Sequence, residues 1–88
     1  MAMFDRLYDE HDREWQTKAF GRTLHAYRVG DPILANIPAA CQVEVLGDEC
    51  GEFVDSLATI LDGALASIGD ARDDRLPLLG YRGAMTHG

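Results

Sequence analysis

Few residues in this chain are of a kind that does chemistry unaided, and their spacing is poor for it. The histidines are His11, His25 and His87, and the cysteines are Cys41 and Cys50. A zinc site needs about four nitrogen, sulfur or oxygen ligands, usually in close-spaced pairs. No Cys-x-x-Cys and no His pair three to five residues apart occurs here. His11 with Asp9, Glu10 and Asp12 offers scattered donors only, and reads better as a solvated acidic cluster. The expectation is no metal and no cofactor. A reactive thiol wants neighbouring cations or a helix N-terminus to lower its pKa. Cys50 instead sits among Asp48, Glu49 and Glu52, and Cys41 falls on the apolar side of an alternating segment, a structural place. No glycine-rich phosphate loop and no serine-centred elbow is present. Asp55 and Asp62 are the acids nearest an apolar background. Asp62 suits a turn, and Asp55 faces water if its segment is a strand. These residues give no reason to expect an enzyme.

What remains is aromatic. Trp15, with Tyr27 or Phe20, could form a platform for a small ligand, and His25 alternates onto the same side as Tyr27. The competing use of Trp15 is burial, because one tryptophan supplies much of the apolar area a small β domain has available. Trp15, Tyr27 and His25 are therefore the candidate ligand-binding residues of a second reading, a small-ligand or metal-binding accessory protein. A hydrolase with a dispersed carboxylate site is a third.

The elements that must position these residues read mainly as strands. Residues 41–46, CQVEVL, alternate cleanly: Cys41, Val43 and Val45 point one way, Gln42 and Glu44 the other. Gly47 and Asp48 end that strand, and 47–52 reads as a loop of turn formers and acids. Residues 53–68, FVDSLATILDGALASI, hold the densest apolar sequence and admit two readings. Phe53, Leu57, Ile60, Leu61, Ala64, Leu65 and Ile68 recur at helical spacing. Alternatively, Asp62-Gly63 is a two-residue hairpin turn of the type that needs positive φ, joining strands 53–61 and 64–68. Sequential strands usually pair, so the strand at 41–46 favours the hairpin.

Around this centre the segments are shorter. Residues 14–20, EWQTKAF, and 22–29, RTLHAYRV, favour strands. Gly30-Asp31-Pro32 is a turn, and 31–40 a loop with one short extended piece. The first twelve residues fit a helical face as well as an edge strand. Residues 69–75 form a charged loop, Leu76-Pro77-Leu78-Leu79 an apolar patch that Pro77 keeps out of a regular inner strand, and 80–88 an irregular tail. The fold class expected is mainly β: a small antiparallel sheet or open barrel built from hairpins, with room for one short helix. All 88 residues make one domain, irregular over 1–13 and 80–88.

Glu14-Trp15-Gln16-Thr17-Lys18, then Tyr27 with Gly30-Asp31, then an alternating strand and the Asp62-Gly63 turn with Ile68 after it, form an order. It resembles a group of short uncharacterised bacterial and prophage-type proteins carrying a [WF]-Q-T-K segment near the N-terminus. The resemblance spans residues 14–68, and the group's pattern places an extended hairpin where this chain has 56–68. It implies a compact, mainly β domain and implies no activity.

Charge limits the partners. The net charge is −7, and between Asp48 and Asp74 eight acids stand against one base, Arg72. Binding nucleic acid needs a basic face, and anionic membrane surfaces attract basic segments, so neither is expected. No run approaches the ~18 apolar residues of a membrane span, and acids follow Phe4 at once where a secretory leader would be apolar. The expected compartment is the cytoplasm, with both cysteines as free thiols. A chain this short buries little core. An apolar Leu76-Pro77-Leu78-Leu79 patch on a sheet with open edges points to a protein-interaction domain acting as a homodimer or larger homo-oligomer. Leu76, Leu78, Leu79 and Tyr81 are the candidate interface.

Overall fold

In the computed structural model, which describes residues 4–21, 24–81 and 85–86, the chain is all strand, with no helix among those residues. The strands are β1 (Asp5–Tyr8), β2 (Glu14–Thr17), β3 (Ala26–Arg28), β4 (Cys41–Glu49), β5 (Glu52–Leu61), β6 (Ala64–Gly69), β7 (Leu78–Leu79) and β8 (Met85–Thr86). They form one mixed sheet in the order β3-β1-β2-β4-β5-β6, with β7 beside β4 and β8 beside β7. The expected mainly β fold is the fold found. None of these elements is a helix long and apolar enough to cross a membrane.

The sheet curls until it nearly closes. Just past β3, Gly30 N–H donates to Leu65 O at 2.7 Å and Leu65 N–H to Asp31 O at 2.9 Å, with a bridge between Pro32 and Ala64. The first and last strands of the series thus meet through the segment after β3, which is how small β domains protect their edges. β1 and β3 run parallel; most other pairs are antiparallel.

The centre is the long β4–β5 hairpin. Val43 faces Ala58 and Val45 faces Ser56, so the inward set is Cys41, Val43, Val45 on one strand and Ser56, Ala58, Ile60 on the other. Period-2 alternation then sends Phe53, Asp55, Leu57 and Leu61 outward. The helical stripe of the sequence is therefore split: Ile60 and Leu65 enter the core, while Phe53 and Leu61 are exposed. At the second hairpin the Asp62-Gly63 turn is as expected, with φ of 53° and 76° at its two central residues. A bulge at Ala66 shifts the β5–β6 register between Thr59 and Ile60, bending β6 toward closure.

Several boundaries depart from expectation. The strand of 41–46 runs on to Glu49, because Gly47 is a packing glycine and not a terminator: a Cβ there would lie 2.8 Å from Trp15 Cε3 and Cζ3. The turn is carried instead by Cys50 and Gly51, at φ of 54° and 85°. Of the strand expected over 22–29, residues 22–23 lie outside the described residues and the strand found is Ala26–Arg28; that expected over 14–20 narrows to Glu14–Thr17. The stretch taken as irregular over 1–13 contains β1, whose Leu7 is wholly buried and pairs with both Trp15 and Tyr27.

The tail needs the largest correction. Pro77 does not keep its neighbours out of the sheet. Leu78 and Leu79 pair parallel with Gln42 and Val43 and antiparallel with Thr86 and Met85, making 85–86 a strand and not an irregular end. Pro77 lacks an N–H, but only its carbonyl is used: it accepts Gln42 N–H at 2.9 Å. Leu79 fills the core at 4% exposure, Leu78 is half-buried, and the Tyr81 carbonyl accepts Lys18 N–H at 2.8 Å.

Candidate functional site

The aromatic candidates are placed by the core. Trp15 and Tyr27 lie on the inward side at 6% and 3% exposure, with Leu7 between them in the strand register. Phe20 meets Tyr27 edge-on at 5.6 Å. The Tyr27 hydroxyl accepts Leu34 N–H at 3.3 Å. Burial pushes the Tyr27 phenol up, against the Leu34 hydrogen bond and with the help of the Asp5 carboxylate. His25 is exposed and stacks on Tyr27 at 5.9 Å, while its backbone N–H donates to buried Asp5 at 2.8 Å. Tyr27 and His25 are thus together, and Trp15 is apart from them.

Trp15 organises the loop before it. Its indole N–H donates to Asp9 Oδ2 at 3.1 Å, and the Arg13 guanidinium lies over the ring at 4.5 Å, a cation–π distance. Asp9 Oδ1 also accepts the backbone N–H groups of His11 and Arg13 at 2.8 and 3.0 Å. Desolvation raises the Asp9 pKa, but the bonds from Trp15, Arg13 and His11 outweigh it, and the carboxyl is held below its usual range. A depressed carboxylate adds stability that is present above its unfolded pKa, near 3.8, and is lost as pH falls through the folded value. Asp9→Asn should therefore destabilise at neutral pH. Urea midpoints of the two proteins should converge as pH drops below that unfolded value; a constant gap would remove the carboxylate from the explanation.

Cys41 is buried, and burial pushes its thiol up; Cys50 is exposed at the hairpin turn, and both are free. Among the described residues no three His, Cys, Asp or Glu side chains gather where they could hold a metal. His87 lies outside the described residues.

The surface that draws attention is the outward face of β4–β5, which reasoning from the sequence had missed. Its cross-strand rows are Asp48 with Phe53, Leu46 with Asp55, and Glu44 with Leu57. Each row sets one acid beside one large apolar side chain, on alternating strands. Directly opposed residues lie about 5 Å apart and successive rows about 7 Å, so the face is a small chequer of carboxylates and apolar groups. Phe53 stands out from it at 71% exposure. Two open clefts flank the Leu46–Asp55 row. One, of about 360 Å³, is lined by Arg13, Glu14, Trp15, Gln16, Leu46, Asp48 and Phe53. The other, of about 310 Å³, includes Glu44, Asp55, Leu57, Asp70, Arg72 and Leu78.

One end of this face is closed and the other open. At the closed end Gln42 is buried and fully engaged. Its amide donates to Thr59 Oγ1 at 3.1 Å and Ala71 O at 2.9 Å, and its carbonyl accepts from Arg72 at 2.7 Å and Asp73 N–H at 2.8 Å. This straps the charged loop down and commits Arg72. At the open end β6 stops at Leu57, its last partner being Gly69. Ser56 Oγ reaches Asp70 Oδ1 at 3.3 Å, and beyond it no strand among the described residues runs along the far side of 52–55.

The outward signal was present as Glu44, Leu46, Asp48 and Phe53, Asp55, Leu57, two sets at period 2. It was hidden because 47–52 read as loop and Phe53 fits a helical stripe as well as a strand. Comparison with protein-family models, with curated proteins and with solved structures finds no match to this chain.

Proposed function

We propose that this is a non-enzymatic domain that works through protein contacts, and that its contact surface is the outward face of β4–β5. The observation that carries the reading is Phe53, a large aromatic 71% exposed on a regular strand, in a stretch that pairs with β4 alone among the described residues. An exposed aromatic ringed by polar groups on a rigid element is the usual make-up of a binding anchor. The carboxylates around it stand open to water between apolar side chains, an arrangement suited to complementary contact.

Self-association is the second reading. Leu79 is used by the core, and Leu76, Leu78 and Tyr81 are half-buried. What favours assembly is the edge at 52–55, open among the described residues, which could pair with its own copy about a two-fold axis. The cost is that two copies meeting there bring Asp48 and Asp55 toward the same acids.

A photoreactive residue at position 53 tests the proposal in cells. It should give a discrete protein adduct that Asp55→Lys suppresses, whereas the same group at Leu34, 63% exposed on the loop after β3, should not. Equal or absent labelling at both positions would refute the surface assigned. An adduct of twice the chain's mass would favour the second reading.

A further inference from the structure

We infer that the open edge of β5 takes an extended segment of another protein, alternating basic and apolar residues, as an added strand; this rests on the contact surface proposed above. Three features converge on it. The edge at 52–55 lacks a neighbouring strand among the described residues, and exposed strand edges template pairing with another chain. It is rigid, since the same residues pair on their other side with Asp48, Gly47 and Leu46 through the β4–β5 ladder. Its surroundings are predominantly acidic: Asp48, Glu52, Asp55 and Asp70 are exposed around it, with Arg13 and Arg72 in the flanking clefts.

The cations in reach are already committed. Arg13 lies over Trp15, and Arg72 is bound to Gln42 and to the carbonyl of Leu76. Four exposed acids against these two cations leave the edge net negative, complementary to a basic partner.

Register fixes what the segment would present. A strand laid beside β5 alternates its side chains, one set beside Phe53 and Asp55, the other beside Val54. The first set faces carboxylates and an exposed ring, which lysine or arginine satisfies twice: the aliphatic stem covers Phe53 and the head reaches Asp48 or Asp55. The second set meets Val54, half-buried at the rim of the core, and is best apolar. Asp70, held beside Ser56 at 3.3 Å, stops the added strand and offers a last carboxylate. A second copy fits this edge poorly, because the chain carries a net charge of −7 and its own outward residues are acidic.

The test uses the whole chain, isotope-labelled, with three short blocked peptides: alternating lysine and valine, threonine and valine, and glutamate and valine. The lysine peptide should shift the amide resonances of 52–57. Its affinity should fall about tenfold or more on Asp55→Lys and should weaken as salt is raised. Phe53→Ser should weaken it as well, without loss of the native spectrum. If the threonine or glutamate peptide binds 52–57 as tightly, or if those resonances shift on concentrating the protein alone, the edge is an interface and the basic occupant is refuted. If no peptide perturbs 52–57 and concentration does not either, this inference and the proposed surface both fail.

Discussion

Replacing Trp15 with alanine should cost about 3–5 kcal/mol, the range for removing a large buried aromatic. Small domains have only about 5–15 kcal/mol of stability, so the variant should be largely unfolded at modest temperature. The indole is 6% exposed, lies against Gly47, and ties down the β1–β2 loop through Asp9. Trp15→Phe keeps most of the ring but loses the indole N–H, and should cost less. Gly47→Ala is the complementary change: its Cβ would fall 2.8 Å from Trp15 Cε3 and Cζ3, and overpacking of this kind costs about 1–3 kcal/mol. A phenylalanine ring lacks the outer indole atoms that meet Gly47. The two substitutions together should therefore be less harmful than their sum. Additive denaturant midpoints would mean that the ring and the glycine do not meet.

Truncation after Arg75 should be as damaging, and to stability, not to mass. Leu79 alone, at 4% exposure, is worth about 2–5 kcal/mol by comparison with other buried leucines cut to alanine. The truncation also strands Gln42 N–H and Lys18 N–H, whose acceptors are the carbonyls of Pro77 and Tyr81. Thr17 Oγ1 loses one of its two choices, Tyr81 O at 3.3 Å, and keeps Glu44 O at 3.2 Å. The full-length and truncated chains, compared by sedimentation and by thermal melting, should differ in melting point. A truncated chain with an unchanged midpoint would contradict the role of β7.

How much of this was legible without coordinates depends on which force fixed each element. The Asp62-Gly63 hairpin and the inward set Cys41, Val43, Val45 were readable because local backbone preference and period-2 burial agree there. Gly47 misled because a glycine in a strand can mark a turn or a close approach. Only the position of Trp15, set by the β2–β4 register, decides which. Leu78 and Leu79 were taken as a patch in search of a partner, since nothing local to Leu-Pro-Leu-Leu says that β2 covers only one end of β4 and leaves the other free for β7. The candidate surface stayed hidden for a related reason. Phe53 and Leu57 satisfy a helical period as well as a strand period, and the face they share with Glu44, Leu46 and Asp48 exists only once nine residue pairs of β4 and β5 are in register.

Among the described residues β5 is a strand whose edge is open at one end, and amide hydrogen exchange reads that directly. Residues 58–60 lie between β4 and β6. In the free chain their amides should be protected throughout. Over 52–55 protection should alternate, every second amide being held by β4 and the others exchanging near the rate of unstructured peptide. Uniform protection over 52–55 in dilute protein would mean that the edge is already covered, and uniform loss would mean that the hairpin end is not ordered; either result contradicts a preformed, vacant docking edge.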